Sequence, residues 1–233
     1  FRAAAEGSAF GILTRRGKFI HAPLSSGDHL VVHLGMTGTL TLEEGTEPVR
    51  PHTHLRIQLD SGQELRYRDP RRFGRVLLGH PRQLTRARLL PPLGPDPLTR
   101  AFAGWPGNAR VTSSGRAVKA VLLDQEVVAG CGNIYADEAL YLARLRPSRT
   151  AASLSASQWA RLGAALTVVM REAIRRRGTS FSDYRDGFGA RGEAYESLMV
   201  YGRAGLPCVR CGRPLEAQRL AGRTTVYCRW CQR

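Results

Sequence analysis

Cys208-Val209-Arg210-Cys211 and Cys228-Arg229-Trp230-Cys231, sixteen residues apart, govern how the last part of the chain folds. Two C-x₂-C pairs at this spacing are typical of a four-thiolate zinc site, in which each pair turns two sulfurs towards one ion. Four thiolates complete the tetrahedral shell, so the predicted Zn²⁺ is structural. Two disulfides are the alternative, but the sequence shows no signal-peptide pattern, so we expect reduced thiols.

The segment between the two cysteine pairs predicts a two-stranded ribbon. Residues 215–220 and 224–227 form the strands, and Ala221-Gly222-Arg223 form a tip that presents Arg223. Residues 203–233 contain seven Arg and one Glu, which favours a DNA-contacting finger over a zinc staple whose arginines only provide solubility. Cys131, the fifth cysteine, is expected to be a small apolar residue near a helix start.

The rest of the chain divides at a Pro- and Gly-rich stretch, residues 90–97, which can continue neither a helix nor a strand. Before it, short β-branched and alternating runs predict an antiparallel β domain. After it, the apolar spacing over 156–177 predicts a helix that begins with a Ser155/Gln158 capping box. We therefore expect domains at 1–90, 91–202 and 203–233, with a long functional loop at about 178–195.

The charge balance indicates a polyanionic partner. The 35 Lys and Arg against 19 Asp and Glu leave a formal net charge of +16, which favours encounter with nucleic acid. An arginine-rich coding bias is the alternative, since lysine occurs only at Lys18 and Lys119. Because no run of about eighteen apolar residues occurs, we expect no membrane association, and we expect a monomer that is cytoplasmic or nucleoid-associated.

Several further motifs accompany the two cysteine pairs. In chain order they are Arg15-Arg16-Gly17-Lys18-Phe19, His33-Leu34-Gly35-Met36-Thr37-Gly38, Asp69-Pro70-Arg71-Arg72-Phe73-Gly74, Gly130-Cys131-Gly132-Asn133-Ile134-Tyr135-Ala136-Asp137-Glu138 and Tyr201-Gly202-Arg203. Together with the cysteine pairs, these motifs resemble one family, formamidopyrimidine-DNA glycosylase. The resemblance implies an α+β fold with an N-terminal antiparallel β-sandwich domain, incomplete here, a helix-two-turn-helix domain and a C-terminal zinc ribbon, which together clamp DNA.

The resemblance also implies the activity and three lesion-site residues. Members of the family remove oxidised purines, such as 8-oxoguanine and formamidopyrimidines, from double-stranded DNA by flipping the base, and they cleave the strand by β,δ-elimination. Met36, Arg71 and Phe73 match the family positions that fill the vacated stack and hold the orphaned base. Without the resemblance, Met36 and Phe73 would be interpreted as core residues.

Four further residues match, or fall near, DNA-backbone contacts of the family: Asn133 and Lys119, and less closely His52 and Arg116. The glycines before Asn133 lead into a helix, whose N-terminus can bind a phosphate. The alternative for Asn133 is a helix N-cap. Asp137 and Glu138 are expected to be first-turn carboxylates that complement the helix dipole.

The resemblance implies catalytic roles for Lys18 as proton donor in β-elimination and for Arg223 in δ-elimination. Lys18 could equally contact a phosphate. The family nucleophile is an N-terminal proline followed by glutamate, whereas this sequence opens with Phe1-Arg2-Ala3. We therefore expect an active natural protein that has a preceding segment, with a truncated DNA-binding remnant as the alternative.

Two other interpretations remain. An endonuclease VIII-like enzyme would act on oxidised pyrimidines, but its void-filling residues differ from Met36, Arg71 and Phe73. A non-catalytic zinc-ribbon protein would account for the cysteines and the charge, but it would leave these three residues unexplained.

Overall fold

The computed structural model describes residues 2–179 and 185–233. The chain forms two compact units, one of Phe1–Pro91 with Arg176–Tyr195 and the other of Pro92–Arg175 with Glu196–Arg233. Helices and antiparallel sheets both occur, which confirms the predicted α+β class with a sheet domain, a helical domain and a zinc finger. The boundaries at 90/91 and 202/203 stay predictions.

In its described residues, the first unit contains seven strands in two antiparallel sheets. One sheet has the strand order β1-β2-β3-β7 and the other has the order β4-β6-β5. A short helix α1 (Arg2–Ala5) precedes the strands, and a second, α2 (Pro81–Arg86), follows them. The strands are β1 (Thr14–Arg16), β2 (Phe19–Pro23), β3 (His29–His33), β4 (Thr39–Glu44), β5 (Thr53–Gln58), β6 (Gln63–Arg68) and β7 (Arg75–Gly79).

Alternation along the strands builds the core of this unit. In β5, Leu55 and Ile57 are half-buried while Arg56 and Gln58 are exposed, as a sheet with one wet face requires. Ala22, Leu30, Val32 and Tyr67 form the buried centre, and apolar side chains of both sheets pack around it. The loops at the strand ends carry the predicted lesion-site residues.

The second unit consists of helices and the C-terminal ribbon. Its helices are α3 (Ala109–Thr112), α4 (Val118–Leu123), α5 (Asn133–Leu142) and α6 (Ala156–Arg175), and its ribbon pairs β8 (Glu216–Leu220) with β9 (Arg223–Tyr227). The predicted capping box starts α6: Gln158 N donates to Ser155 Oγ at 3.3 Å, and Ser155 N donates to Gln158 Oε1 at 2.9 Å.

One apolar stripe of α6 packs into the core of this unit. Each fully buried large side chain in it contributes about 1.5–3 kcal/mol. The buried large residues of the stripe are Trp159, Leu162, Leu166 and Met170. The Trp159 ring meets the Trp105 ring edge-on at 5.3 Å. Cys131 is fully buried in the same core, as expected.

The predicted functional loop at 178–195 lies in the first unit apart from residues 180–184, which are outside the described residues. Thr179 and Glu193 form an isolated β-bridge at its base. Leu42 N in β4 donates to Gly187 O at 2.9 Å, so part of the loop lies against the three-stranded sheet. Across residues 2–179 and 185–233, no helix combines the length and apolar composition that crossing a bilayer requires.

Candidate functional site

The four cysteines of the ribbon converge on one point. Their sulfurs all lie within 4.8 Å of one another, with Cys208 Sγ 3.9 Å from Cys231 Sγ and Cys211 Sγ 3.6 Å from Cys228 Sγ. Tetrahedral coordination with Zn–S bonds of about 2.3 Å requires sulfur pairs about 3.8 Å apart. The cluster therefore fits one structural Zn²⁺, and all four ligands come from the protein.

The tip of the ribbon is a two-residue turn. Ala221 and Gly222 have φ values of +48° and +71°, and Leu220 pairs with Arg223 across the turn. Positive φ at both central residues is typical of a type I′ hairpin turn, which matches the twist of the flanking strands. Arg223 is thus the exposed first residue of β9 rather than part of the tip.

Asn133 is the first residue of α5, and Gly132 is the N-cap. The Asn133 side chain donates from Nδ2 to the carbonyl of Thr224 at 3.1 Å, so the alternative interpretation of Asn133 as an N-cap is wrong. Asn133 Oδ1 is buried and has no hydrogen-bond partner among the described residues. The amide therefore joins the helix N-terminus to the start of β9.

Lys119 in α4 is fully buried, which contradicts the expectation that it contacts a DNA phosphate. Its ammonium lies 2.6 Å from Asp137 Oδ1, and it donates to Thr225 Oγ1 at 2.6 Å and to Thr224 O at 3.2 Å. Two of the three N–H donors of the ammonium thus hydrogen-bond to threonine oxygens, and the Asp137 carboxylate balances its charge. Burial lowers the pKa of Lys119 and raises the pKa of Asp137 to about 6, while their mutual attraction opposes both shifts.

Asp137 and Glu138 are not first-turn carboxylates, because α5 begins at Asn133 and places them in its second turn, where both are buried. Asp137 Oδ2 accepts a hydrogen bond from Val226 N at 3.0 Å. Glu138 accepts from three successive backbone N–H groups, at 2.8–2.9 Å, and burial raises its pKa despite them. These donors are Met199, Val200 and Tyr201. The two carboxylates therefore join α5 to the ribbon and to the segment before it.

Arg116, a weaker candidate for DNA contact, is half-exposed and tied to α4. Its Nη1 lies 2.8 Å from Asp124 Oδ2, and its Nη2 donates to the Ala120 carbonyl at 3.1 Å. Because this ion pair is exposed to solvent, it contributes at most about 1 kcal/mol. A phosphate could replace Asp124 as the partner of the guanidinium at little cost.

In the first unit, the fully buried carboxylate of Asp69 organises the loop of residues 69–74. It accepts hydrogen bonds from Thr37 Oγ1 at 2.6 Å, Gly74 N at 2.8 Å and Tyr67 OH at 3.1 Å, and from Arg71 N at 3.3 Å. Burial raises the pKa of Asp69, but these hydrogen bonds outweigh it and lower the pKa overall. Thr37 and Arg71 belong to different loops, so the carboxylate joins both.

Met36 and Phe73 lie on these two loops and are exposed, at 62% and 53% of their surface, so their interpretation as core residues is wrong. The Arg71 guanidinium lies 4.7 Å from the centre of the Phe73 ring, in cation–π contact. Gly35, with φ of +66°, allows the loops to meet, because a Cβ there would lie 2.6 Å from Gly74 N. The structure thus brings the loops of Met36, Arg71 and Phe73 together.

His52 and Lys18 lie at turns of the first unit. His52 is exposed at φ of +67°, and its carbonyl accepts a hydrogen bond from Asp69 N at 3.0 Å, next to the loop of Arg71. Lys18 is exposed in the turn between β1 and β2. Burial is the main cause of the lowered pKa of His33, and the positive charge of Lys18 is the second cause. His33 Nδ1 accepts from Gly35 N at 3.2 Å, at the start of the Met36 loop, and sequence reasoning gave this histidine no role.

Three family profiles match the chain. The formamidopyrimidine-DNA glycosylase N-terminal domain matches residues 1–76, the formamidopyrimidine-DNA glycosylase H2TH domain matches residues 93–185, and the zinc finger found in FPG and IleRS matches residues 205–233. The order of the three agrees with the order of sheet, helices and ribbon described above.

Solved structures agree with the profiles. The MutM (Fpg) protein from Thermus thermophilus is 46% identical, with a TM-score of 0.89 over 99% of this chain and 85% of that one. Lactococcus lactis Fpg bound to DNA containing Fapy-dG is 31% identical, with a TM-score of 0.88 over 97% of this chain and 83% of that one. Its complex with DNA containing an abasic site is 32% identical, with a TM-score of 0.89 and the same coverage. The chain belongs to the formamidopyrimidine-DNA glycosylase family.

Proposed function

We propose that this protein is a base-excision DNA glycosylase that flips oxidised purines out of double-stranded DNA, removes them, and cleaves the strand at the abasic site by β,δ-elimination. The observation that carries the proposal is the exposed group of Met36, Arg71 and Phe73 on two loops joined through Asp69. The Lactococcus lactis relative's complexes with Fapy-dG DNA and abasic DNA support the same substrate class and the lyase step.

The chemistry of base flipping explains why such a group is useful. Unstacking a nucleotide costs a few kcal/mol, and apolar side chains inserted into the gap support the neighbouring bases. Met36 and Phe73 expose apolar surface that can fill this gap. Because they are exposed, these side chains contribute little to the packing of the folded protein. The Arg71 guanidinium offers a planar set of N–H donors to the orphaned cytosine.

We propose that His52, Arg116 and Asn133 contact the phosphate backbone. The net charge of +16 supports a substantial electrostatic contribution to this binding. Asn133 lies at the N-terminus of a ten-residue helix, where backbone N–H groups and the helix dipole favour an anion. Lys119 is not included, because its ammonium is buried, paired with Asp137 and hydrogen-bonded to Thr224 and Thr225.

For the elimination steps, we propose Lys18 as the proton donor in β-elimination and Arg223 as the cation that assists δ-elimination. Both side chains are exposed. A phosphate contact remains the alternative role for Lys18. The nucleophile that the resemblance implies is an N-terminal proline followed by glutamate. Intact mass and N-terminal sequencing of the protein expressed from its natural gene would establish whether this pair precedes Phe1.

The test is strand incision of an 8-oxoguanine:cytosine duplex by the protein expressed from its natural gene. We expect incision by the wild type and a loss of about tenfold or more in excision rate for Met36→Ala and Arg71→Ala, because transition-state positioning is sensitive to small displacements. Ile12→Ala is the matched control, since Ile12 is an exposed apolar residue of the same unit, at 87%, outside the proposed site. Equal rates for all variants, or incision of oxidised pyrimidines only, would overturn the proposal.

The wider context follows from this function. We propose that the protein acts as a monomer on DNA containing oxidised purines, in the cytoplasm or nucleoid. We also propose functional divisions at 1–90, 91–202 and 203–233, with residues 178–195 involved in lesion recognition; residues 180–184 of that loop are outside the described part of the chain.

A further inference from the structure

We propose that Lys119 is a positioning residue for Arg223. Acting through Thr224 and Thr225, it holds the start of β9 in place and so controls how efficiently the second elimination follows the first. This inference rests on the proposed function, in particular on a role for Arg223 in δ-elimination.

The contacts of Lys119 converge on the residues that follow Arg223. Its ammonium donates to Thr224 O and to Thr225 Oγ1. The ammonium also pairs with Asp137 Oδ1, while Asp137 Oδ2 accepts from the next backbone N–H along β9, that of Val226. Three successive residues of β9 are thus held by one buried ion pair between α4 and α5.

Asn133 adds a fourth contact to the same point. Its Nδ2 donates to Thr224 O, which therefore accepts from both Asn133 and Lys119. The backbone one residue after Arg223 is consequently held from two helices. The exposed side chain of Arg223 comes directly before this contact, so its reach depends on where Thr224 is held.

The zinc ion cannot provide this restraint. The ligand Cys228 follows the far end of β9, and five residues of strand at about 3.3 Å each separate it from Arg223 by about 17 Å. A two-stranded ribbon is only marginally stable alone, so a restraint at the zinc end leaves the tip free to move. Lys119 supplies the restraint at the tip end of β9.

The position of Arg223 matters for the chemistry of the δ step. In that step a general base takes the C4′ proton, the C4′–H electron pair forms a C4′=C5′ double bond, and the C5′–O5′ bond breaks with its electron pair leaving on the phosphate oxygen. An arginine guanidinium stays protonated, so it cannot be the base, but it stabilises the negative charge that develops on the leaving phosphate. This stabilisation depends on distance, so displacement of Arg223 should slow the δ step selectively.

The test uses the zinc-loaded protein expressed from its natural gene and a duplex with one abasic site. Gel separation distinguishes the 3′-unsaturated aldehyde left by β-elimination from the 3′-phosphate left by δ-elimination. The main variant is Lys119→Met combined with Asp137→Asn, which removes both charges of the buried pair. Thr225→Val is a second, milder variant that keeps the pair but removes the hydroxyl, which accepts from Lys119 and donates to Arg223 O at 3.4 Å. Arg223→Ala is the reference, and Arg213→Met, at the zinc end of the ribbon, is the control for loss of a cation.

We expect both Lys119-linked variants to lower the ratio of δ to β product, the double variant by about tenfold, with zinc content and the rate of β-elimination unchanged. Arg213→Met should leave the ratio unchanged. An unchanged ratio in Thr225→Val and the double variant, or a parallel fall of both steps, would overturn the proposal. A wild type that yields only the β product would also overturn it while leaving the glycosylase assignment intact. A wild type that incises neither lesion nor abasic DNA would instead refute the proposed function.

Discussion

Two fully buried charges, Asp69 in the first unit and Lys119 in the second, each hold an exposed segment for which we propose a function, but their charges are balanced differently. Asp69 accepts from hydroxyl and backbone N–H donors, all of them neutral. Lys119 is balanced mainly by one carboxylate, Asp137, which is itself fully buried.

The directions of the pKa shifts reflect this difference. The pKa of Asp69 is lowered, so its surroundings favour the charged form. The pKa of Lys119 is lowered and that of Asp137 is raised, so burial disfavours both charges. Neutral dipoles held by the backbone stabilise a buried charge without burying a second one, whereas an ion pair must bring both charges out of water. The comparison therefore predicts that the two units respond differently to metal removal, mutation and pH.

The largest effect should come from zinc removal, which acts on the second unit alone. Structural zinc in finger peptides binds with an apparent free energy of about 10–16 kcal/mol, and the ribbon is too small to be stable without it. Cys228→Ser should abolish zinc binding and hydrogen-exchange protection of residues 203–233, while β2, β3 and β7 keep theirs. Protection of the ribbon without zinc, measured with Cys131→Ser as control, would contradict this expectation.

The next effect is that of Asp69→Ala on the first unit. The substitution leaves the donors of Thr37, Tyr67 and Gly74 without their acceptor, and we expect it to destabilise the unit by about 3–5 kcal/mol. Hydrogen exchange of β3 and β6 measures the free energy of opening. Asp60→Ala, in an exposed turn, is the matched control. If Asp69→Ala lowered the free energy of unfolding no more than Asp60→Ala does, the Asp69 carboxylate would not organise the loops.

The pH dependence of stability should have opposite signs for the two sites. Because the pKa of Asp69 is lowered from its usual 3.8, its contribution is present above pH 3.8 and is lost as pH falls through the folded-state pKa. Because the pKa of Asp137 is raised from 3.8 to about 6, the folded state binds that proton more tightly, and this contribution declines as pH rises from 3.8 through 6.

Two neutral variants separate these contributions. Relative to the wild type, Asp69→Asn should lose less stability below pH 3.8 than above it, and Asp137→Asn should flatten the dependence of stability on pH between pH 3.8 and 6.

The three tryptophans, Trp105, Trp159 and Trp230, all lie in the second unit, so their fluorescence during urea unfolding reports on that unit alone. Hydrogen exchange of strands β3 and β6 reports on the first unit. If the free energy of unfolding changed with pH in the same direction in both units, the two kinds of buried charge would not differ in the way proposed.

The smallest effect on stability is expected for Met36→Ala and Phe73→Ala. Both side chains are more than half exposed, so truncation should change the free energy of unfolding by less than about 0.5 kcal/mol. Truncation of the buried Leu30 should cost about 2–5 kcal/mol in the same unit. A large loss of stability for Met36→Ala would mean that the residue serves packing rather than DNA.

Local patterns were enough to predict several parts of the structure. The two cysteine pairs predicted the zinc cluster, because ligand spacing within a tight turn determines where the sulfurs point. Ser155 and Gln158 predicted the start of α6, since a capping box involves only residues three apart. The ribbon and its turn were also predicted, except that Arg223 is the first residue of β9 and not part of the turn.

Burial could not be predicted in the same way. Lys119 was expected to contact DNA, and Asp137 and Glu138 were expected to complement the helix dipole from the first turn, yet all three are buried. An acidic pair within an otherwise apolar stretch of α5 was the only available signal. Their partners lie about sixty to a hundred residues away in the chain, at Met199–Tyr201 and Thr224–Val226. Spacing specifies a metal site or a helix cap because the groups involved are neighbours in sequence, whereas the burial of a charge depends on distant segments that meet only when the chain is folded.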